Sequence, residues 1–376
     1  MKIIVIGLGA MGSSASYHLA KRGFEVIGID QFSPPHSLGS SHGDTRILRL
    51  AYAEGIQYVP IVMRARELWK ELSDESGKEL FTETGVLSIR SDEKGSFKDM
   101  FKGAESYGIK HESLSASNIS DEYKVINPEE NMVGLLDREA GVVHVERSIE
   151  THLSMAKASG AEIFLNEKVE SIDLSRTVKV KTKNNFFEAD AIVVSAGAWL
   201  PELIDLPKMN LEVERQVLFF VDVASSESFS PDNLPVVSVE YGDQIRNFYS
   251  IPNFGRGFKI ARHHEGKITS ADEVDRTIYQ EEKDDIEKLF KRFFNGPPGK
   301  VLDSKICLYT NTQSKDFLID FHPDNDNVLI LSPCSGHGFK FSSVIGEITA
   351  DLLEKNESEF DLSHFSFEKH FNINAT

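Results

Sequence analysis

The sequence predicts an α/β (α+β) chain: a dinucleotide-binding domain assembled from three separated segments, with a β-rich second domain inserted between them. Three observations predict it. The chain begins with a strand–glycine turn–helix–strand unit of the kind that binds dinucleotides. Further α/β segments recur in the middle and at the end, with strand-like alternation filling the gaps. At 376 residues the chain is also longer than one hydrophobic core usually serves.

Residues 2–6 (KIIVI) are a short β-branched run, the signature of a strand buried on both faces. Gly7, Gly9 and Gly12 follow at once, and Ser13 to Lys21 carries Ala15 and Leu19 at helical spacing. Gly23 ends that helix, and a second strand from Phe24 to Ile29 closes on Asp30. Residues 58–74 read as a helix with Val62, Ala65, Leu68 and Leu72 as its apolar stripe. Strands at 84–90 and 141–145 bracket a more polar stretch, a helix covers 148–159, and 161–187 reads as a β-meander. A buried strand, Ala191 to Val194, leads into the second β-rich region. There 213–278 alternates like strands, with turns at Gly242, Gly255 and Gly266. An amphipathic helix over 280–294 stops at Gly296-Pro297-Pro298-Gly299. The strand Val328–Ser332 then enters a glycine loop, and a last helix runs from about 343 to 354.

Composition narrows the function. Hydrophobic residues at 40% and charged residues at 27% are ordinary for a globular chain. A net charge of −18 argues against nucleic acid, which needs a basic face. No apolar window approaches the length of a membrane helix, and the first apolar run is better explained as a strand than as a signal peptide, so a cytoplasmic protein is expected. With two cysteines, Cys307 and Cys334, neither a disulfide framework nor a cysteine-rich zinc site is possible, and no metal is expected.

Four constellations carry chemistry. Gly7-x-Gly9-x-x-Gly12 between strand and helix allows the tight turn, the approach of backbone to a pyrophosphate, and close packing of helix on strand. Phosphates then meet the free N–H groups of the helix N-terminus, and Asp30 is placed to accept from a ribose diol. This motif does not decide between NAD and FAD. Next, His42, Thr45, Arg46 and Arg49 lie in GSSHGDTRILR, and the two arginines share a face if the segment is helical. In an acidic chain such a cluster points to an anionic ligand or a flavin ring, with a surface salt-bridge cluster as the plainer reading. Ser335-Gly336-His337-Gly338, followed by Lys340 between Phe339 and Phe341, is a backbone nest beside a single cation. Finally, Lys259 and His263 stand in a strand-like apolar run, where a solvated strand face is the alternative, and Cys307 lies between apolar residues, where a small core residue is the alternative.

Together these segments resemble the monomeric sarcosine oxidase and N-methyltryptophan oxidase family of covalent flavoproteins. The resemblance covers the N-terminal glycine unit, PPHSLGSSHGDTRILRLAYAEG (34–55), ERQVLFF (214–220), FYSIPNFGRGFKIARHH (248–264), CLYTNT (307–312) and GHGFKFSSVIGE (336–347), in order from end to end. It implies an FAD-binding Rossmann-like domain (1–80, 146–212 and 318–376) and a β-rich substrate domain (81–145 and 213–317). It further implies a thioether from Cys307 to the flavin, with Thr45 and Arg46 against the ring, His42 nearby, and Gly338 in the cofactor site. Lys259 would activate oxygen, Arg49 and Lys340 would clamp the substrate carboxylate, and Tyr249 and His263 would line the pocket. The expected activity is oxidation of a small secondary amino acid such as sarcosine or N-methyltryptophan by a monomer, with oxygen as acceptor. Rival readings are a flavin dehydrogenase or an oxidase of pipecolate, proline or glycine, and an NAD-linked or non-catalytic protein. This chain departs from the family where relatives often carry His-His-Gly-Asp: it has Ser41-His42-Gly43-Asp44. Its turn before Lys259 is short and is expected to bring Arg256 close to the site, and Gln313-Ser314 replaces a Pro-Asp-type turn.

Overall fold

A six-stranded sheet organises the nucleotide-binding part of the computed structural model, which describes all residues except 92–94, 175–176, 207–208, 243–245 and 374–376. The strand Lys2–Ile6 lies at its centre, parallel to Glu25–Asp30 on one side and Ala191–Val194 on the other. Glu162–Leu165 and Asn325–Ser332 extend it in parallel, and Leu318–His322 closes one edge antiparallel. Alternation within the first strand divides the core. Ile3 and Val5 pack under the helices Ala10–Lys21, Val145–Ala158 and Ser342–Lys355, while Ile4 and Ile6 pack under a three-stranded meander over 169–189. A sheet buried on both faces explains why its strands read as continuous apolar runs.

A second, mixed sheet contains Glu212–Val223, Val236–Tyr241, Arg246–Ile251, Phe258–Arg262, Val86–Ser91, Met132–Asp137 and His111–Ser115, with Pro298–Asn311 paired to Glu212–Val223. One face is sealed by an aromatic cluster in which Phe229, Phe248, Phe258 and Phe294 pack edge-on, tilted or stacked with one another and with Phe290 of the helix Gln280–Phe293. The other face fronts the cavity described below.

Several expectations are corrected. The segment with Arg46 and Arg49 is not helical: Thr45–Leu48 is a strand paired with Gly141–His144. Gly43 and Asp44, at φ +90° and +77°, turn the chain in a way no helix start allows, and the β-branched Thr45 and Ile47 suit the pairing that follows. Of the predicted meander over 161–187, Glu162–Leu165 instead joins the parallel sheet, and the antiparallel strands begin at Val169. The polar stretch after residue 91 holds the helices Gly95–Ser106 and Ala116–Glu122 and two strands. The long strand Pro298–Asn311 starts inside the Gly-Pro-Pro-Gly punctuation, where Pro298 stands at the strand's first residue, a position proline tolerates.

Candidate active site

A cavity of about 570 Å³ runs from the first glycine turn to the second sheet. At its first end Gly7 and Gly12 serve the turn and the helix packing that their spacing predicts. Gly7 has φ +86°, and a Cβ there would stand 2.6 Å from the Ser195 carbonyl oxygen. A Cβ on Gly12 would lie 1.8 Å from the Gly7 oxygen, so only glycine lets the helix pack this close. At Gly9 a Cβ would meet nothing nearer than Ser41 Oγ at 3.8 Å, and the helix Ala10–Lys21 has no side-chain cap. Its first N–H groups and dipole are thus left for an anion at the cavity wall. Asp30 lines the same wall but has a prior duty: its two oxygens accept from Leu8 N at 2.7 Å and Phe32 N at 2.8 Å. A carboxylate retains lone pairs after two such bonds, so a ribose diol is still accommodated.

The middle of the cavity gathers Arg46, His42, Cys307, Thr45 and Lys259. The Arg46 guanidinium donates to the carbonyls of Ser40 (2.9 Å) and Thr45 (3.0 Å) and reaches Cys307 Sγ at 3.4 Å. His42 Nε2 lies 3.0 Å from the Ile306 carbonyl and 3.5 Å from the same sulfur. Burial alone would push the Cys307 thiol up, but Arg46 and His42 outweigh it and bring the pKa down to about 7. Cys334, half-buried and without such neighbours, is pushed up to about 11 by desolvation. Lys259 is 1% exposed and donates to Gly43 O (2.9 Å) and Thr45 O (2.6 Å), which locks the turn leading into the Arg46 strand. Burial, and then Arg46, pull its ammonium pKa well below the usual range.

At the far end stand Arg49, Lys340, Tyr249 and His263. Arg49 pairs with Glu54 and lies over the Tyr52 ring. Lys340 donates to His337 O (2.6 Å) and Tyr52 Oη (3.3 Å), and its own carbonyl accepts from the Trp69 indole at 2.8 Å. Burial, with Arg49 nearby, brings Lys340 down to about 7. Burial raises Tyr249 to about 12 and holds His263 well below the ordinary imidazole range, so both are neutral near pH 7. His263 Nδ1 lies 3.1 Å from Tyr309 Oη. Gly338 is required by a close approach, since a Cβ would sit 1.5 Å from the Pro333 oxygen.

Every site residue singled out from the sequence except Gly12, His42, Thr45 and Lys259 therefore lines one cavity, and those four pack behind its walls. Arg256 does not join it. Its half-exposed guanidinium is tied to Asp303 at 3.0 Å on the outer side of the Phe220 ring. Sequence reasoning missed Glu54, whose acidic charge in an otherwise basic segment was the available signal, and also Glu146. The Glu146 carboxylate accepts from Gly43 N (2.8 Å) and Asp44 N (3.1 Å), bracing the Lys259 loop from behind. Among the described residues no His, Cys, Asp and Glu group forms a metal site, and no helix is long and apolar enough to cross a membrane.

A parallel sheet with an uncapped helix at a glycine turn, opening on a cavity that also holds a lowered-pKa thiol and buried cations, defines a dinucleotide-dependent oxidoreductase. The chain belongs to the FAD dependent oxidoreductase family, whose model matches residues 2–352. It is 35% identical to monomeric sarcosine oxidase of a Bacillus species (strain B-0618), covering 98% of this chain and 95% of that one. It is 32% identical to N-methyl-L-tryptophan oxidase of Yersinia pestis (strain Pestoides F), over 98% of both. The structure of L-proline dehydrogenase from P. horikoshii shares the fold, with a TM-score of 0.80 at 19% identity over 100% of this chain and 98% of that one.

Proposed function

We propose that this FAD-dependent enzyme oxidises N-methyl amino acids, with sarcosine or N-methyl-L-tryptophan as substrate. The N-methyl amino acid, oxygen and water would yield the primary amino acid, formaldehyde and hydrogen peroxide. Residues 1–80, 146–212 and 318–376 would form the FAD-binding domain, and 81–145 with 213–317 the substrate domain. The observation that carries the reading is the pair of buried cations, Arg49 and Lys340, at the end of the cavity remote from the glycine turn. With Glu54 they sum to one positive charge when Lys340 is protonated, which a single substrate carboxylate neutralises. The relatives' names support the same class.

The cavity's residues suit FAD: the turn and helix N-terminus take the pyrophosphate, Asp30 the ribose, and the Arg46–Cys307 region the ring. When bound, the flavin supplies the two-electron redox chemistry. Cys307 would hold it through a thioether, because its thiol is kept partly ionised while Cys334 is not. Arg49 and Lys340 would fix the substrate by its carboxylate, which places the amine and its methyl group between Tyr249 and His263. The surrounding cations disfavour a protonated amine, so the substrate would react as the neutral amine without a dedicated base. Lys259 would serve oxygen: a negative charge forming beside it raises its pKa, so it offers positive charge or a proton where oxygen is reduced.

The test is to mix the purified yellow protein with sarcosine or N-methyl-L-tryptophan without oxygen and then admit air. Loss of the visible flavin absorbance, followed by its return with peroxide, is expected. Bleaching that persists in air, relieved only by a quinone or protein acceptor, would make the enzyme a dehydrogenase.

A further inference from the structure

One stretch of the wall of the cavity that holds Arg49 and Lys340 is polar. On the second sheet Val237, Val239 and Phe248 turn into the aromatic core. Their neighbours Ser238, Asn247 and Tyr249 therefore face the cavity, which all three line. The register puts Ser238 opposite Tyr249 and Asn247 opposite Glu240. The two polar residues thus continue the surface that Tyr249 begins. Beside them on the same face Arg90 and Glu240 form a buried ion pair at 2.8 Å, so the two opposite charges here are matched to each other. The Ser238 hydroxyl and the Asn247 carboxamide have no hydrogen-bond partner among the described residues. What remains unfilled is one hydroxyl and one carboxamide, offering both donors and acceptors, beside the buried Glu240 Oε1, which accepts no hydrogen bond among the described residues.

We propose that Ser238 and Asn247 form a side-chain subsite that selects N-methyl amino acids bearing an uncharged hydrogen-bonding group, a hydroxyl or a carboxamide. This rests on the N-methyl amino acid reading above and names its preferred substrates. An indole or alkyl side chain would cover these groups without replacing their hydrogen bonds to water, and a site so built rejects the apolar isostere. A second carboxylate would find the neighbouring guanidinium already matched by Glu240.

The test compares isosteres in one enzyme, so that losses of folding or flavin cancel. Peroxide-coupled kcat/KM is measured for N-methylserine against N-methyl-2-aminobutyrate, and for N-methylasparagine against N-methylleucine. Calorimetric binding of the unreactive ethers 2-methoxy-3-hydroxypropanoate and 2-methoxybutanoate gives a readout independent of turnover. Wild type is expected to prefer the polar member by about tenfold or more. In Ser238→Ala and Asn247→Leu that ratio should fall toward one. Equal handling of the isosteres by wild type, or ratios unchanged in both variants, would overturn the subsite. Failure to oxidise sarcosine and every N-methyl amino acid would instead overturn the underlying reading, with the ether binding ratio still deciding the subsite.

Discussion

Replacing Arg46 by glutamine removes the cation nearest the Cys307 thiol, 3.4 Å away. Coulomb's law for unit charges at that separation gives about 1 kcal/mol in bulk water and about 5 kcal/mol at an effective dielectric constant of ~20. At about 1.4 kcal/mol per pKa unit, the thiol should rise from about 7 by roughly one unit at the least. The sign follows directly. Thiolate is the reactive form and is present above the pKa, so raising the pKa starves the reaction at neutral pH and alkali restores it. At pH 7 the thiolate share would fall from about half to about a tenth or below. The assay incubates flavin-free protein with saturating FAD between pH 6 and 9.5 and follows the yellow colour retained by acid-precipitated, washed protein. Wild type should be half-maximal near pH 7 and reach its plateau about one unit higher, and Arg46→Gln should show the same profile displaced upward by about one unit or more. Superimposable pH profiles, or a variant whose rate does not recover in alkali, would refute the claim that Arg46 activates the thiol.

Four further outcomes are expected. Cys307→Ser should leave acid-precipitated protein colourless while Cys334→Ser stays yellow, as scored in the precipitate. Lys259→Met should slow reoxidation by oxygen on the order of 10²–10³-fold in stopped flow while slowing anaerobic reduction far less, and equal slowing would reassign it to substrate binding or structure. Arg49→Gln or Lys340→Gln should weaken carboxylate inhibitors by about tenfold to a hundredfold in a spectral titration. Because Lys340 titrates near pH 7 and only its protonated form pairs with an anion, wild-type affinity should fall as pH rises above about 7, and Lys340→Gln should abolish that dependence.

The nucleotide end of the site was legible from sequence because its constraints are local. Gly7, Gly12 and Asp30 act through turn and helix packing within one short unit, and a regular spacing records them. Cys307 and Lys259 were not legible in that way. Their chemistry depends on Arg46 and on the Gly43 and Thr45 carbonyls, more than 200 residues away in sequence, and only the resemblance pointed to them. The same holds for Glu54 and Glu146, whose partners are set by tertiary packing. Arg256 shows the opposite failure: proximity in sequence to Lys259 implied proximity in space, whereas it lies in the turn between Gly255 and Gly257, before the strand begins, and its side chain pairs with Asp303. The helical reading of Arg46 and Arg49 failed because spacing alone says nothing of the turn at Gly43 and Asp44 that forbids a helix there.

The proposed reaction is demethylation of an N-methyl amino acid in the cavity at the expense of oxygen. Its most direct test is the stoichiometry of one reaction: oxygen consumed, and formaldehyde, peroxide and glycine formed, from a limiting amount of sarcosine. Equal amounts of all four are predicted, with none from glycine or proline under the same conditions. Peroxide without formaldehyde, or turnover of proline or glycine in place of sarcosine, would contradict it.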